Sequence, residues 1–255
     1  MDKKKLFEYC FGCSPALFPE TAIITPFLHV GRFAEHCQTL ESFKGRLYSG
    51  ITAVKDGQKF AVVHCRMGDR FMGDAVLLLN VSPVSKMLFA GACGGLTDCG
   101  IGDLVICESA FNGEGFSRYY GRDFDMKRIF DMGELNSADA GYTESLTKFL
   151  SRWMPDKTAL KTGDIFTTGS LVAEQRANVL EIEKKGFMGI DMELSAVYCA
   201  ARVAGLKAAG LVFVSDLPLK KPLWETLAPP EKNGYDMGAG ELVRLSVEFV
   251  SKEVQ

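Results

Sequence analysis

Two kinds of segment alternate along most of the chain. Short apolar runs without strict alternation predict strands that are buried on both faces, and stretches with apolar residues at helical spacing predict helices that cover them. The predicted strands cover residues 21–25, 47–54, 59–65, 86–90, 103–109, a segment near 165, 187–190 and 208–214. The predicted helices cover residues 31–40, 73–79, 171–184, 193–204 and 236–250.

The order of these segments predicts the fold class. Asp56-Gly57 lies between two predicted strands and favours a tight hairpin. Strands joined by helical crossovers predict a three-layer α/β/α architecture around a mainly parallel sheet. Residues 1–255 contain no internal repeat, low-complexity tract or Pro/Ser-rich linker, so we expect them to form a single domain.

Composition and charge exclude several function classes. The 255 residues are 47% apolar and 24% charged, which is typical of a globular protein and not of a disordered or fibrous one. The 29 basic and 32 acidic residues give a formal charge of −3, too little positive charge to attract nucleic acid or an anionic membrane. Because neither a leader-like apolar segment nor a run of 18 apolar residues occurs, we expect a cytoplasmic protein with no nucleic-acid or membrane partner.

The eight cysteines are too sparse for a secreted disulfide framework and predict reduced thiols. Cys10 and Cys13 form a CxxC pair, but neither a second pair nor a nearby histidine completes a tetrahedral zinc set. We therefore expect no metal and no organic cofactor.

Ligands of open α/β sheets bind beyond the carboxyl ends of the strands. Four segments of the sequence occupy such places: residues 25–29, 91–95, 189–193 and 214–218. Segment 91–95 is rich in glycine, which lets backbone N–H groups approach a ligand closely. Its glycines do not have dinucleotide-binding spacing and a P-loop lysine is missing, so a tight turn without function is the alternative.

Two carboxyl groups in these segments suit acid and binding chemistry. Asp216 ends a strongly apolar run, where desolvation raises the pKa of a carboxyl and makes it a proton donor near neutral pH. Glu193 can accept two hydrogen bonds from a vicinal diol, and Met192 offers an apolar contact to a sugar face. A capping or turn role is the alternative for each carboxyl.

The three segments 91–96, 189–193 and 214–216, in this order and together with 101–105, resemble the nucleoside phosphorylase and nucleosidase superfamily. This superfamily includes purine nucleoside phosphorylase, uridine phosphorylase and methylthioadenosine nucleosidase. Segments 33–36 and 113–120 look most like the short form of AMP nucleosidase, another member. The resemblance implies a twisted mixed sheet, partly closed into a barrel and flanked by helices, in a homo-oligomer that is a dimer or a trimer of dimers.

The resemblance also implies a reaction, cleavage of the N-glycosidic bond between base and ribose, and roles for single residues. Asp216 matches the acid that protonates the departing base, Glu193 the carboxylate that holds the ribose hydroxyls, and Met192 the residue beneath the sugar. The other residues expected to contact a nucleoside or nucleotide are Ala92, Cys93, Gly94, Phe166, Thr168, Ser215 and Glu114.

The co-substrate is water or phosphate, and the sequence favours water. Phosphorylases of the superfamily surround phosphate with arginines and a hydroxyl, whereas the matching positions here are segment 25–29, Phe89 and Ala92. Candidate anion ligands remain in His29, Arg70 and either Arg118 or Arg122, with a solvated surface role as the alternative. We therefore predict a purine nucleoside or nucleotide N-ribohydrolase, with a phosphorylase or a non-catalytic nucleoside-binding protein as alternatives.

Overall fold

The computed structural model describes residues 2–121, 124–154 and 159–252. Arg122, one of the candidate anion ligands, lies outside these residues. The strands of the described residues are β1 (Thr21–Thr25), β2 (Gln38–Lys44), β3 (Ser49–Lys55), β4 (Gln58–His64), β5 (Lys86–Gly95), β6 (Leu104–Gly113), β7 (Leu135–Ser137), β8 (Leu160–Thr168), β9 (Gly189–Asp191) and β10 (Lys207–Asp216). The α-helices are α1 (Lys3–Phe11), α2 (Val30–Ala34), α3 (Asp69–Leu79), α4 (Met126–Met132), α5 (Ala140–Trp153), α6 (Arg176–Lys184), α7 (Leu194–Ala204) and α8 (Pro229–Lys252).

All the described strands belong to one sheet, in the order β10-β6-β8-β9-β5-β1-β4-β3-β2, with β7 paired to β6. Strand β10 also pairs with β5, so β10, β6, β8, β9 and β5 close into a five-stranded barrel. Of the pairings between described strands, five are parallel and five antiparallel. The mixed, partly closed sheet is confirmed, and the mainly parallel sheet is wrong because apolar runs identify buried strands without giving their direction.

Helices cover both faces of this sheet and give the predicted three layers. Helices α1, α3 and α7 pack on one face, and α2, α5 and α8 on the other. Alternate side chains of β1 divide between the two cores, with Ile24 on the α3 and α7 side and Ile23 on the α5 and α8 side. Both faces of the strand are therefore buried, which is why its sequence shows an unbroken apolar run.

Several element boundaries differ from their predictions. The helix predicted over 31–40 ends at Ala34, because the chain enters edge strand β2 at Gln38. The helix predicted over 171–184 divides into a 3₁₀ turn at Leu171–Ala173 and helix α6. The hairpin at Asp56-Gly57 is confirmed, since both residues have positive φ as a tight turn requires. None of the described helices combines the length and the apolarity needed to cross a lipid bilayer.

Candidate active site

Three strand ends meet at one glycine. Gly94, near the end of β5, pairs with Asp216 of β10 on one side and with Ile190 of β9 on the other. Strands β10 and β5 are parallel and therefore end at the same edge of the barrel. Strand β9 leads directly into Met192 and Glu193, which precede α7. Residues that are more than twenty positions apart in sequence are thus brought to the two sides of a single glycine.

A cavity of about 220 Å³ opens at this place. Seven of the predicted substrate-site residues line it together: Asp216, Glu193, Met192, Ala92, Cys93, Gly94 and Ser215. The other described lining residues are Phe27, Met67, Leu171, Glu174, Ile190, Asp191, Leu223 and Tyr235. The two carboxyl groups singled out from the sequence therefore share one cavity.

The carboxyl of Asp216 is held at the rim of the barrel by its neighbours. The pairing of β10 with β5 shifts register between Val214 and Asp216, and a bulge of this kind re-aims the side chain that follows it. The hydroxyl of Ser215 donates to Asp216 Oδ1 at 2.7 Å and lies 3.2 Å from the carbonyl oxygen of Cys93. Burial raises the pKa of Asp216, while hydrogen bonds from Ser215 and from the Leu223 backbone offset part of the increase.

The carboxyl of Glu193 is buried and is held by backbone donors. The amide of Gly68 donates to Glu193 Oε1 at 2.7 Å, and a hydrogen bond from the Met192 backbone also lowers the pKa of this carboxyl. Asp191 accepts hydrogen bonds from the Leu194 amide at 2.7 Å and from the Thr167 hydroxyl at 2.6 Å. Burial raises the pKa of both acids, and the repulsion of Asp191 raises that of Glu193 further. Asp191, with more donors, is the more acidic of the two and fixes the start of α7.

Glycine at position 94 is a steric requirement of the site. A Cβ added there would lie 2.6 Å from Cγ of Pro218 and 3.5 Å from Oδ2 of Asp216. The first distance is far below van der Waals contact. Because Gly94 has no side chain, the backbone of β5 can lie this close to both Asp216 and Pro218.

The described lining of the cavity is acidic and apolar. It includes four carboxyl groups, those of Glu174, Asp191, Glu193 and Asp216, and no lysine, arginine or histidine. Phe89, at a position where phosphorylases of the superfamily carry an arginine, is fully buried in the core. The cavity thus suits a neutral ligand, or one that develops positive charge, and not a phosphate dianion, because a buried anion needs positively charged or hydrogen-bonding partners.

Five predicted substrate-site residues do not line the cavity in the part of the chain that the structure describes. Two of them, Phe166 and Thr168, belong to β8. Phe166 is fully buried, and its ring stacks on Phe111 at a centroid distance of 5.6 Å. Thr168 Oγ1 accepts from the Ser170 amide at 3.3 Å and so shapes the turn that follows the strand. Both side chains are buried, and their contact with substrate stays a prediction.

The other three have local partners or face solvent. Glu114 is half-buried, and burial together with repulsion from Asp69 raises its pKa to about 7. His29 is exposed and caps α2, since its Nδ1 accepts from the Gly31 amide at 3.1 Å. Arg70 is exposed in the first turn of α3. The expected contact of Glu114 with the substrate, and those of His29 and Arg70 with an anionic substituent, stay predictions.

Sequence reasoning missed several lining residues. Phe27 belongs to segment 25–29, which the sequence placed beyond a strand end, although the residue itself was not singled out. Leu223 lies in the connection between β10 and α8. Glu174 and Tyr235 carry no such signal. Glu174 follows a 3₁₀ turn, and Tyr235 reaches the cavity from α8, where its ring meets Phe213 edge to face at 5.1 Å. Only the packing of distant elements brings these two side chains to the site.

Comparisons with known proteins agree with this geometry. Residues 21–232 match the family model described as "Phosphorylase superfamily". The chain is 25% identical to a DeoD-type purine nucleoside phosphorylase of Myxococcus xanthus over 225 residues, which cover 87% of this chain and 86% of the relative. It is 26% identical to a DeoD-type purine nucleoside phosphorylase of Listeria welshimeri over 187 residues, which cover 72% and 74% of the two chains.

Solved structures share the fold. The purine nucleoside phosphorylase of Toxoplasma gondii in complex with immucillin-H superposes with a TM-score of 0.74, at 18% identity and over 94% of each chain. The uridine phosphorylase of Vibrio fischeri superposes with a TM-score of 0.73, at 20% identity and over 94% of this chain and 92% of that one. Identities this low establish the architecture and leave the chemistry to the residues of the cavity.

Proposed function

The chain belongs to the phosphorylase superfamily, and from this premise we propose that it cleaves the N-glycosidic bond of a purine nucleoside with water as the nucleophile. One observation carries the proposal: Asp216 and Glu193 share a cavity whose described lining contains four carboxyl groups and no cationic side chain. Asp216 and Glu193 supply the proposed proton donor and the proposed ribose-binding group, and the described lining contains no arginine, lysine or histidine that would bind phosphate. Water is then the available nucleophile.

The proposed reaction uses these carboxyls in sequence. Asp216, whose pKa burial raises, acts in its protonated form and gives its proton to the base as the C1′–N bond breaks and the electron pair of that bond moves to the base. Positive charge then develops on the ribose, whose hydroxyls Glu193 holds, and the negative field of the more acidic Asp191 stabilises this charge. Oxygen of water bonds to C1′ and releases a proton to solvent, which yields free base and ribose, and Asp216 takes a proton back.

A phosphorolytic reaction is the second candidate, because the relatives and the solved neighbours are named as purine nucleoside and uridine phosphorylases. The acid and ribose-binding roles of the two carboxyls would be the same in both reactions. The difference lies at the nucleophile. The resemblance matches the arginines of a phosphate site to His29 and Phe89. His29 caps α2 and does not line the cavity, and Phe89 is buried in the core, which favours hydrolysis.

The direct test is product analysis with and without phosphate. The protein is incubated with adenosine, inosine, guanosine, methylthioadenosine and AMP, and free base and sugar are separated by chromatography. We expect each substrate to release its base and the corresponding free sugar at equal rates in phosphate-free buffer and in buffer with millimolar phosphate. Release that requires phosphate and yields ribose 1-phosphate would establish phosphorolysis. Tight nucleoside binding without turnover would indicate a binding protein instead.

A further inference from the structure

Glu174 lies in the cavity, and the reaction outlined above does not use it. Its backbone is well fixed. The Glu174 amide donates to the carbonyl of Leu171 at 3.1 Å, and the side chain of Asn178 donates to the carbonyl of Ala173 at 2.8 Å. The turn between the 3₁₀ helix and α6 therefore holds this side chain at the cavity wall. A residue fixed in this way is suited to binding a ligand in one orientation.

The side chain of Glu174 has no hydrogen-bond or ion-pair partner among the described residues, although it is largely buried. The charged groups that act on it most are Asp216 of β10 and Asp191 of β9, both acidic. Burial, with added repulsion from these two carboxyls, raises the pKa of Glu174 to about 8. At neutral pH the group therefore carries a proton, and it offers one O–H donor and one carbonyl acceptor side by side.

The position of Glu174 within the cavity follows from the contacts of the elements around it. The guanidinium of Arg176, which follows Glu174 closely in the chain, donates to the carbonyl of Leu219 at 3.0 Å, in the segment after β10. The amide of Gly68, just before α3, donates to Glu193 at 2.7 Å. Glu174 therefore lies toward the end of β10 and Asp216, and Glu193 lies toward the start of α3. The repulsion of Asp216, which raises the pKa of Glu174, agrees with this placement. In the proposed reaction the base is bound at Asp216 and the ribose at Glu193. Glu174 then faces the base.

We propose that Glu174 recognises the nucleobase by donating its carboxylic proton to one polar atom of the base and accepting a hydrogen bond from the adjacent one. The substrate class that fits is a purine with a 6-amino or 6-oxo group. In adenine N1 accepts and the 6-amino group donates, while in hypoxanthine O6 accepts and N1–H donates. Since either carboxyl oxygen can carry the proton, both bases satisfy the pair, and purine without a 6-substituent does not. The inference rests on the proposed function for the location of the base.

Binding of free bases tests the inference without requiring turnover. Adenine, hypoxanthine and unsubstituted purine are titrated calorimetrically into the parent chain, Glu174→Gln and Glu174→Met at pH 7. Glutamine keeps a donor and an acceptor side by side, and methionine has similar length and neither. A binding site left with an unpaired donor or acceptor loses about tenfold to a hundredfold in affinity. We expect the parent and the glutamine variant to prefer the 6-substituted bases by this factor and the methionine variant to show no preference.

The pH dependence gives a second readout that needs no substitution. The preference of the parent for 6-substituted bases should fall as the pH rises through about 8, because the ionised carboxylate loses its donor, and the preference of Glu174→Gln should stay constant. A methionine variant that retains the preference of the parent overturns the inference. A parent chain that binds none of the bases, or that binds all three equally, does the same.

The outcomes also separate the inference from the proposed function. If base binding depends on Glu174 but the protein cleaves no nucleoside, the proposed hydrolase activity is wrong and the role of Glu174 in base recognition stands. If the protein cleaves nucleosides and Glu174→Met leaves the preference for 6-substituted bases unchanged, the role of Glu174 is wrong and the proposed hydrolase activity stands. Thermal melting of each variant accompanies the titrations, and if the methionine variant does not fold, the glutamine variant and the pH dependence decide the matter.

Discussion

Replacing Asp216 with asparagine tests the step on which the proposed chemistry depends. The change preserves shape, since the amide oxygen can still accept the hydrogen bond that the Ser215 hydroxyl makes to Oδ1 at 2.7 Å. It removes the proton that the acid would give to the base. It also removes a carboxyl from a cavity that holds those of Glu174, Asp191 and Glu193. Folding should therefore be unharmed while the chemical step is impaired.

The expected size of the effect follows from the role of the acid. General acid catalysis contributes a factor of about 10² to 10⁴, which corresponds to about 2.7 to 5.4 kcal/mol in the activation free energy. We expect kcat for inosine or adenosine to fall by this factor while KM changes less than about threefold. Burial raises the pKa of Asp216 in the folded state, so charging this group costs stability at pH 7. The asparagine variant should melt at the same temperature as the parent or slightly higher.

The assay compares two leaving groups. A nitrophenyl riboside releases a stable phenolate and needs no proton from the enzyme, so its cleavage by Asp216→Asn should fall less than about tenfold. Ser215→Ala serves as the matched control, because it removes one hydrogen bond to the acid and leaves the acid itself in place. It should cost about fivefold to tenfold in kcat. An equal loss with purine nucleoside and nitrophenyl riboside, or full activity of Asp216→Asn, would refute proton donation by Asp216.

Four further changes have defined outcomes. Glu193→Gln should lower kcat/KM for ribosides by about tenfold to a hundredfold and for 2′-deoxyribosides by less, as measured by initial rates. Gly94→Ala places a Cβ 2.6 Å from a proline ring carbon, and it should lower the unfolding free energy by about 1–3 kcal/mol and abolish most of the activity. In the control Gly73→Ala, in α3, the added Cβ lies 3.7 Å from its nearest neighbour, so the unfolding free energy should be unchanged or increased. Phe166→Ala should cost about 3–5 kcal/mol in urea unfolding, because this ring is fully buried. The ligand-free protein should lose stability as pH rises from about 5 to 8, since folding raises the pKa of Glu174 from 4.5 to about 8, and Glu174→Gln should reduce this loss in thermal melts.

Each of these has a result that contradicts it. A Glu193→Gln variant that loses riboside and 2′-deoxyriboside activity equally does not use this side chain to hold the diol. Equal unfolding free energies of Gly94→Ala and Gly73→Ala would mean that the segment after β10 moves to accommodate the added Cβ at little cost. A Phe166→Ala variant of parental stability with weakened base binding would assign that ring to the substrate and not to the core. A pH-stability curve that the Glu174→Gln change leaves unaltered would show that this carboxyl ionises normally.

Most of the buried strands and the two catalytic candidates were predictable from sequence because each depends on local signals, whereas strands β2 and β7 were not predicted. Strand β1 matches its predicted limits, since a buried apolar run followed by a proline has little freedom. Asp216 and Glu193 were found from their position after apolar runs. The convergence on Gly94 was not predictable from the pattern alone, because it results from β5 pairing with β10 and with β9 at once. Hydrophobic periodicity contains no information on which strands become neighbours.

The rest of the cavity depends on contacts between distant parts of the chain. The resemblance implied that Phe166 contacts the base, whereas in the structure this side chain is fully buried and stacks on Phe111. Glu174 belongs to a polar stretch whose pattern predicts a surface helix. The helix is interrupted after the 3₁₀ turn, and this interruption places Glu174 at the cavity. Tyr235 was assigned to no element, whereas α8 begins at Pro229 and brings it to the cavity. These positions are set by tertiary packing, which overrides local preference.

The origin of the residues around Gly94 affects how the substrate preference of such an enzyme can change. Asp216 and Glu193 are tied to paired strands, whereas Phe27, Met67 and Leu223 reach the cavity from connections that belong to separate parts of the chain. A mutation in one connection can therefore reshape the pocket without moving either carboxyl. Substrate preference can therefore change through substitutions in single loops while the two carboxyl groups keep their positions.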